Sequence, residues 1–439
     1  MDGFGALSML AAIVSEIEKR LQYCDHIYLG FSGGLDSCVL LHALSKSEYL
    51  KPKITAVHVH HGLSAHATAW QQWAQALCLQ WDIAFYSQSV FVEQKNSKSL
   101  EEAAREARYH VFESLMQSSK DVMLLAHHQN DQAETVLLHL LRGSGVGGLA
   151  GMPVWRPLKK GFLYRPFLNI GREKLEVYAE LHQLDWIDDE SNQDCRFDRN
   201  FIRHTIVPLL KERWPAVTAN LARTTRHCAW ARDRVSEWAV NELNTLLDNR
   251  RLKLSRFRDY TKEAQMELLR EWIKQEGFRL PGFDKLKRIV EEVVPARRDA
   301  NPLVKWEGCE IRRYQDYLYA LSGSLTFNNT SAYVWDDKSK PLMLLDKTGQ
   351  CLGILSGMFL PEDKKITVRF RQDGEIIQWK GKHRELKKLL NQWKIPPWER
   401  DFIPLIFFDD QLACIPGWAV GDDFIDWQEE GGQVVFERR

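Results

Sequence analysis

Up to about Glu190, short apolar runs alternate with stretches whose apolar residues return every three or four positions. HIYLGF (26–31), KITAVHVH (53–60), DIAFYSQSV (82–90) and DVMLLAH (121–127) predict buried strands. Between and after them, SCVLLHALSK (37–46), HATAWQQWAQALCLQW (66–81), SLEEAAREARYHVFESLMQ (99–117) and DQAETVLLHLLR (131–142) predict helices. This alternation implies βαβ units, a doubly wound and mainly parallel sheet, and a ligand site at the carboxyl ends of its strands. From about Trp214 to Arg298 the pattern turns helical, with 220–247 long enough for one continuous helix. A turn cluster at Gly323–Ser331 and the stretch DDKSKP (336–341) mark a boundary. Beyond it, ITVRF (366–370) and LIFFDDQLACIPGWAV (405–420) predict strands, and HRELKKLLNQW (383–393) a short basic helix. The expected fold is an α/β N-terminal domain (1–213), a helical middle domain (214–325) and a small α+β C-terminal domain (340–439).

The chain has 439 residues and no net charge, but the charge is segregated. Arg196–Arg234 holds nine Lys/Arg against three Asp/Glu, and Lys364–Arg400 eleven against four. Such segments are either solvated helix faces or local footprints for a polyanion. Eight cysteines are scattered singly without a C-x-x-C pair, which argues against a zinc ribbon or vicinal redox pair and suits a reducing cytosol. The N-terminal FGALSMLAAIV lacks a basic flank and continues into SEIEKRL at helical spacing, so an amphipathic helix is expected there in place of a signal peptide. No apolar run suffices to span a bilayer, and a cytoplasmic protein is expected.

The first predicted strand ends in Ser32-Gly33-Gly34, followed by Leu35, Asp36 and Ser37 at a helix start. Glycines let backbone N–H groups approach an anion, and the helix dipole favours negative charge there. Asp36 would repel a bare phosphate, but a Mg²⁺ ion can bridge a carboxylate and phosphate oxygens. No lysine follows the turn, so the loop is not of the G-x-x-x-x-G-K-[ST] kind. The bland alternative is a Gly-Gly turn capped by Ser32 or Asp36; its place between strand and helix favours nucleotide binding.

After the fourth strand, His127 and His128 precede Asp131 and Glu134, acids that share one helix face. The acids suit a metal or a cationic substrate, or they simply complement the dipole. The glycine-rich RGSGVGGLAGM (142–152) reads as a loop over the site or as a tight connection. In DDESNQDCRFDRNFIR (188–203), Arg199 and Arg203 lie one helical turn apart, spaced to grip a phosphate or ribose.

Taken in order, SGGLDS, VHVHHGLS, EEAAREARY, AHHxxDQAET…LLRGSG and WIDDESNQD…DRNFIR resemble the tRNA(Ile)-lysidine synthetase family of PP-loop ATP pyrophosphatases. RQDGE and KHRELKKLLNQWKIPPWERDFIPLIF resemble that family's C-terminal domain, so the likeness covers nearly the whole chain. The resemblance implies a ligase that uses ATP and Mg²⁺ and takes as partners an isoleucine tRNA with a CAU anticodon and free L-lysine. The C2 oxygen of the wobble cytidine attacks the α-phosphate of ATP and releases pyrophosphate. The lysine ε-amine then displaces AMP at C2. On this reading Ser32, Gly33, Gly34, Leu35, Asp36 and Ser37 bind ATP, with Asp36 the metal ligand. Asp131 and Glu134 hold the lysine; Arg105, Arg108, Arg199 and Arg203 contact phosphate or RNA; Asp36, His127, His128, Asp131, Glu134 and Arg199 form the catalytic set. A homodimer is compatible with the resemblance. Asn130 stands where the family usually has a first acid. The nearest rival is a PP-loop tRNA thiolase, which needs a cysteine pair or cluster motif; a glutamine-dependent amidotransferase lacks its glutaminase module here, and a non-catalytic RNA-binding protein would not need the loop and acid pair.

Overall fold

The computed structural model describes every residue except 1–2, 63–65, 92–99, 298–299, 323–331, 346–350, 373 and 439. The chain forms two compact units, Met1–Trp238 and Ala239–Arg439. The first opens with α1 (Gly3–Leu21), β1 (Ile27–Gly30), α2 (Leu35–Ser45), β2 (Ile54–His60), α3 (Ala67–Gln80) and β3 (Ala84–Ser89). It continues with α4 (Leu100–Leu115), β4 (Val122–Leu124), α5 (Gln129–Leu141), α6 (Val146–Leu149), β5 (Trp155–Leu158), β6 (Gly161–Tyr164) and α7 (Arg172–Leu181).

The sheet order is β3-β2-β1-β4-β6-β5. All neighbours run parallel except the β5–β6 hairpin, with Ile27 of β1 beside Ile54 on one side and Val122 on the other. The strand period of two splits the core between the two faces. Leu29, Val122 and Leu124 pack with Val39, Leu41 and Leu44 of α2 and with Ile17 and Leu21 of α1. Val57 and Met123 pack on the other face with Val111 and Phe112 of α4. Each such fully buried aliphatic side chain contributes about 1.5–3 kcal/mol, enough to hold the register that aligns the strand ends.

β5 and β6 were not evident in the pattern, because four residues on each side of a two-residue turn show too little alternation. Lys159 takes φ 51° in that turn, and Leu158 pairs with Gly161. The glycine-rich segment is a tight connection, not an open loop. Gln132 of α5 donates Nε2–H to Met152 O (2.9 Å) and accepts Met152 N–H on Oε1 (2.8 Å), while His139 Nδ1 lies 2.6 Å from Gly148 O.

Past α7, α8 (Asp198–Phe201), a turn of wider π pitch (Ile202–Ile206) and α9 (Val207–Arg213) follow, then α10 (Val217–Leu246). Pro208 opens α9, and its missing N–H and bulky ring account for the widened turn before it.

In the second unit, helices at Lys262–Gln275 and Phe283–Arg288 accompany a five-stranded sheet built from 247–253 and 303–321. That sheet joins the expected helical character of the middle region. Its strands turn on residues such as Gly308 (φ 79°) and Gln315 (φ 54°), and Leu303–Trp306 and Cys309–Tyr314 alternate more and less buried positions, a strand period that the sequence reading overlooked. The C-terminal part holds two further antiparallel sheets, a hairpin and the helix Leu386–Gln392. The helix expected from His383 starts later, because Lys382–Glu385 pairs with Ile376–Trp379 across a turn at Lys380 and Gly381, both with positive φ. The turn cluster expected at 323–331 lies outside the described residues, and 336–341 links two strands.

Candidate active site

The site grows from the carboxyl ends of β1 and β4, neighbouring strands on either side of which the sheet order diverges, where an open α/β sheet leaves a crevice. Beyond β1, Phe31 N–H still bonds Val57 O (2.8 Å) before the chain turns into α2. Gly33 makes the turn at φ 85°, and a Cβ there would lie 2.7 Å from Ile187 Cδ1. Gly33 O accepts Ile187 N–H at 2.9 Å, so the segment after α7 is laid across the loop. Ser37 Oγ donates to Gly34 O (2.9 Å), lies 3.2 Å from Ser32 Oγ, and Gly34 N–H donates to Ser32 Oγ (3.3 Å). These bonds tie the loop to itself, and no side chain caps the first turn of α2. A helix of this length with an uncapped N-terminus presents N–H groups and a positive dipole end to an anion.

Asp36 sits in that first turn. Its Oδ2 faces His128 Nε2 at 3.5 Å, while its Oδ1 is buried without a hydrogen-bond partner. A buried unsatisfied acceptor costs about 1–3 kcal/mol or more when charged. A divalent cation would fit this oxygen, since a carboxylate is a ligand such an ion takes and would leave the acceptor satisfied.

α5 begins at a capping box built on a histidine. Asp131 N–H donates to His128 Nδ1 (3.3 Å), and His128 N–H donates to Asp131 Oδ2 (3.0 Å). His128 Nε2 then lies 3.5 Å from carboxylate oxygens of both Asp36 and Asp131. Burial resists charging His128, but the carboxylates of Asp131, Asp36 and Glu134 outweigh it and raise its pKa. His127 behaves oppositely. Burial is the largest effect and, with Arg165, Arg199 and Arg108, lowers its pKa well below the ordinary value against the pull of Asp131.

Asp131 and Glu134 are buried, and the two arginines fold back onto them. Arg199 donates Nε–H to Glu134 Oε2 (2.8 Å) and Nη2–H to Asp131 Oδ1 (2.9 Å). Arg203 grips Glu134 with Nε–H on Oε1 (2.6 Å) and Nη2–H on Oε2 (2.9 Å), and reaches Asp131 Oδ1 at 3.2 Å. Burial would raise the pKa of Asp131, but His128, Arg199, His127 and the His128 backbone N–H hold it well below the usual carboxylate range. Two acids and two arginines form a neutral, fork-matched network.

Arg105 and Arg108 lie on α4, in the shell around Tyr109. The guanidinium carbons of Arg105 and Arg156 lie 5.1 and 4.8 Å from the Tyr109 ring centroid. Burial would raise the Tyr109 pKa, but Arg105, Arg165, Arg156 and Arg108 together lower it. The structure thus joins Asp36, His128, Asp131, Glu134, Arg199 and Arg203 in one contact chain, and sets Arg105 and Arg108 in a separate basic cluster that reaches His127 through Arg165 (Nε to Nδ1, 3.2 Å). Sequence reasoning missed Arg156, Arg165 and Ile187; the first two sit on or just after the hairpin that the pattern did not reveal, and Ile187 acts through its backbone. Asn130 Oδ1 accepts Arg172 N–H at 3.3 Å, so it caps α7.

An α/β sheet of this order, with a glycine turn, an uncapped helix and an aspartate in its first turn, defines a nucleotide-binding domain of the PP-loop class. Residues 9–210 match the PP-loop domain, 252–319 the TilS substrate binding domain and 366–436 the TilS substrate C-terminal domain. The tRNA(Ile)-lysidine synthase of Legionella pneumophila (strain Paris) is 41% identical over 408 residues, covering 92% of this chain and 94% of that protein. That of Coxiella burnetii (strain RSA 493 / Nine Mile phase I) is 38% identical over 436 residues, covering 97% and 95%. The chain belongs to the tRNA(Ile)-lysidine synthase family.

Proposed function

We propose that this enzyme ligates free L-lysine to C2 of the wobble cytidine in a CAU-anticodon isoleucine tRNA, at the expense of ATP, which leaves as AMP and pyrophosphate. One observation carries the local assignment: the His128 ring bridges Asp36 of the nucleotide loop and Asp131 of the acid pair at 3.5 Å each. An activated base and an incoming amine must meet within such a distance of each other.

A cytosine oxygen leaves poorly, and its adenylate leaves well. The uncapped N-terminus of α2 would receive the phosphates while Ser32, Gly33, Gly34, Leu35 and Ser37 shape the cradle. Asp36 would hold Mg²⁺, which supplies charge neutralisation for the leaving pyrophosphate. Asp131 and Glu134 would hold the lysine ammonium and accept its proton, since only the neutral amine attacks. Arg199 and Arg203 occupy those acids in the structure, so lysine entry requires them to turn away, and the phosphates of ATP and tRNA are their natural alternative partners. Arg105 and Arg108, with Arg156, would meet RNA phosphate.

Residues 214–325 and 340–439 would hold the tRNA body, and the basic runs at 196–234 and 364–400 suit that use. Among the described residues no helix is long and apolar enough to cross a membrane, and the eight free cysteines fit a cytoplasmic enzyme. The test is pyrophosphate release with CAU-anticodon tRNA in the absence of lysine. A tRNA-dependent burst near one equivalent is expected, and release that ignores tRNA would contradict the adenylation step.

A further inference from the structure

Arg165 follows β6 and is 3% exposed. It donates Nε–H to His127 Nδ1 (3.2 Å) and Nη1–H to Pro153 O (2.7 Å), and its backbone N–H bonds Val154 O (2.9 Å). The groups that act most strongly on its charge are Tyr109, Arg156 and Arg105, none of them a carboxylate. A guanidinium has donors and no acceptor, and it keeps its charge in proteins. His127 Nδ1 must therefore accept, and in a neutral imidazole the single proton then sits on Nε2. A second proton on Nδ1 would lose this bond and press two cations together.

We infer that Arg165 is a positioning residue that fixes His127 as a neutral Nε2–H hydrogen-bond donor throughout the working pH range, an assignment that rests on the site reading above. Two adjacent histidines both accept on Nδ1, and their surroundings set them apart: His127 lies against the Arg165 guanidinium, whereas the His128 Nε2 faces the carboxylates of Asp36 and Asp131. His127 suits stabilisation of charge growing on a phosphoryl or cytidine oxygen, and it cannot serve as the base for the lysine ammonium. The charged groups around its ring are Asp131, Arg165, Arg199 and Arg108. Three of the four are cations, so they oppose its protonation as the pH falls.

The test is nitrogen NMR on the full chain labelled with ¹⁵N-histidine, with His127→Asn assigning the signals. A protonated Nε2 and bare Nδ1, unchanged from pH 5.5 to 8.5, are expected. Arg165→Met should let His127 exchange tautomers or titrate, and should lower kcat roughly 10- to 100-fold with KM for lysine changed less than about 3-fold. Arg165→Lys, which can still donate to Nδ1, should restore the wild-type tautomer and much of kcat. A wild-type His127 that carries its proton on Nδ1 or titrates near pH 6.5 overturns the inference, as does an Arg165→Met enzyme with unchanged kcat and spectrum. The spectra need no turnover, so a wild-type protein that shows the expected tautomer yet makes no lysidine contradicts the proposed function and leaves the positioning inference standing.

Discussion

Asp131 accepts on both oxygens, which makes Asp131→Asn a sharp perturbation. Oδ2 takes the His128 N–H, and Oδ1 takes Nη2–H groups of both Arg199 and Arg203. Asparagine has one acceptor. If its oxygen keeps the cap, its NH₂ group faces two guanidiniums; if it faces them, the cap is lost. A lost cap costs about 1 kcal/mol, and a lost charge-assisted bond about 1.5–3 kcal/mol. Glu134 still pairs both arginines, so the full 3–5 kcal/mol for breaking a buried pair is not expected. A net loss of about 3 kcal/mol follows, or roughly 6–12 °C in the melting of the first unit. Lysine ligation should fall below detection, because the amine loses its partner. Scanning calorimetry and labelled-lysine transfer read the two effects separately. Asn130→Asp is the companion: aspartate can still accept the Arg172 N–H, its charge suits the start of α7, and near-wild-type ligation is expected. Wild-type melting and turnover in Asp131→Asn, or an inactive Asn130→Asp, would refute this division between the two positions.

The Asp131 pKa is held down in the folded state, so the unfolded chain binds more protons as acidity rises. Its stabilisation is complete above the unfolded carboxylate value near pH 4 and fades below it; the stability gap between wild type and Asp131→Asn should hold above about pH 4 and narrow progressively as the pH falls below it in denaturant titrations. Gly33→Ala should destabilise by about 1–3 kcal/mol and weaken ATP binding measured by calorimetry, since φ 85° is strained for alanine and its Cβ meets Ile187; unchanged affinity would deny the turn its role. Arg156→Gln should weaken tRNA binding and reduce the slope of log K against log salt by about one, with ATP affinity unaffected; an unaltered slope excludes a phosphate contact. Cys195→Ser should keep ligation within about 2-fold, as a surface change away from structural features; a large loss would bring thiol chemistry back into consideration.

The strand–helix alternation was legible because the helices run for several turns and the central strands β1, β2 and β4 lie in almost continuously apolar runs; β3, expected to be buried, is an edge strand with exposed and half-buried positions. The site was legible where chemistry is local in the chain, as at Ser32–Ser37 and His127–Glu134. What the sequence did not show arises from pairings between distant positions. Nothing in the sequence says that Arg199 and Arg203 close onto Asp131 and Glu134, although the one-turn spacing of each pair permits it. Arg165 and Arg156 were hidden by a hairpin too short to carry a pattern, and a histidine N-cap is outside the usual Ser, Thr, Asp and Asn signature. Ile187 contributes a backbone N–H, to which residue identity is nearly silent.

The most direct test of the account is transfer of radiolabelled lysine, with ATP and Mg²⁺, to an isoleucine tRNA transcript bearing CAU, beside the initiator methionine tRNA with the same anticodon. Acid-stable label in the isoleucine tRNA alone is the predicted result. ATP cleaved to AMP and pyrophosphate in a tRNA-dependent way without label would contradict the account, leaving adenylation correct and the nucleophile something other than lysine.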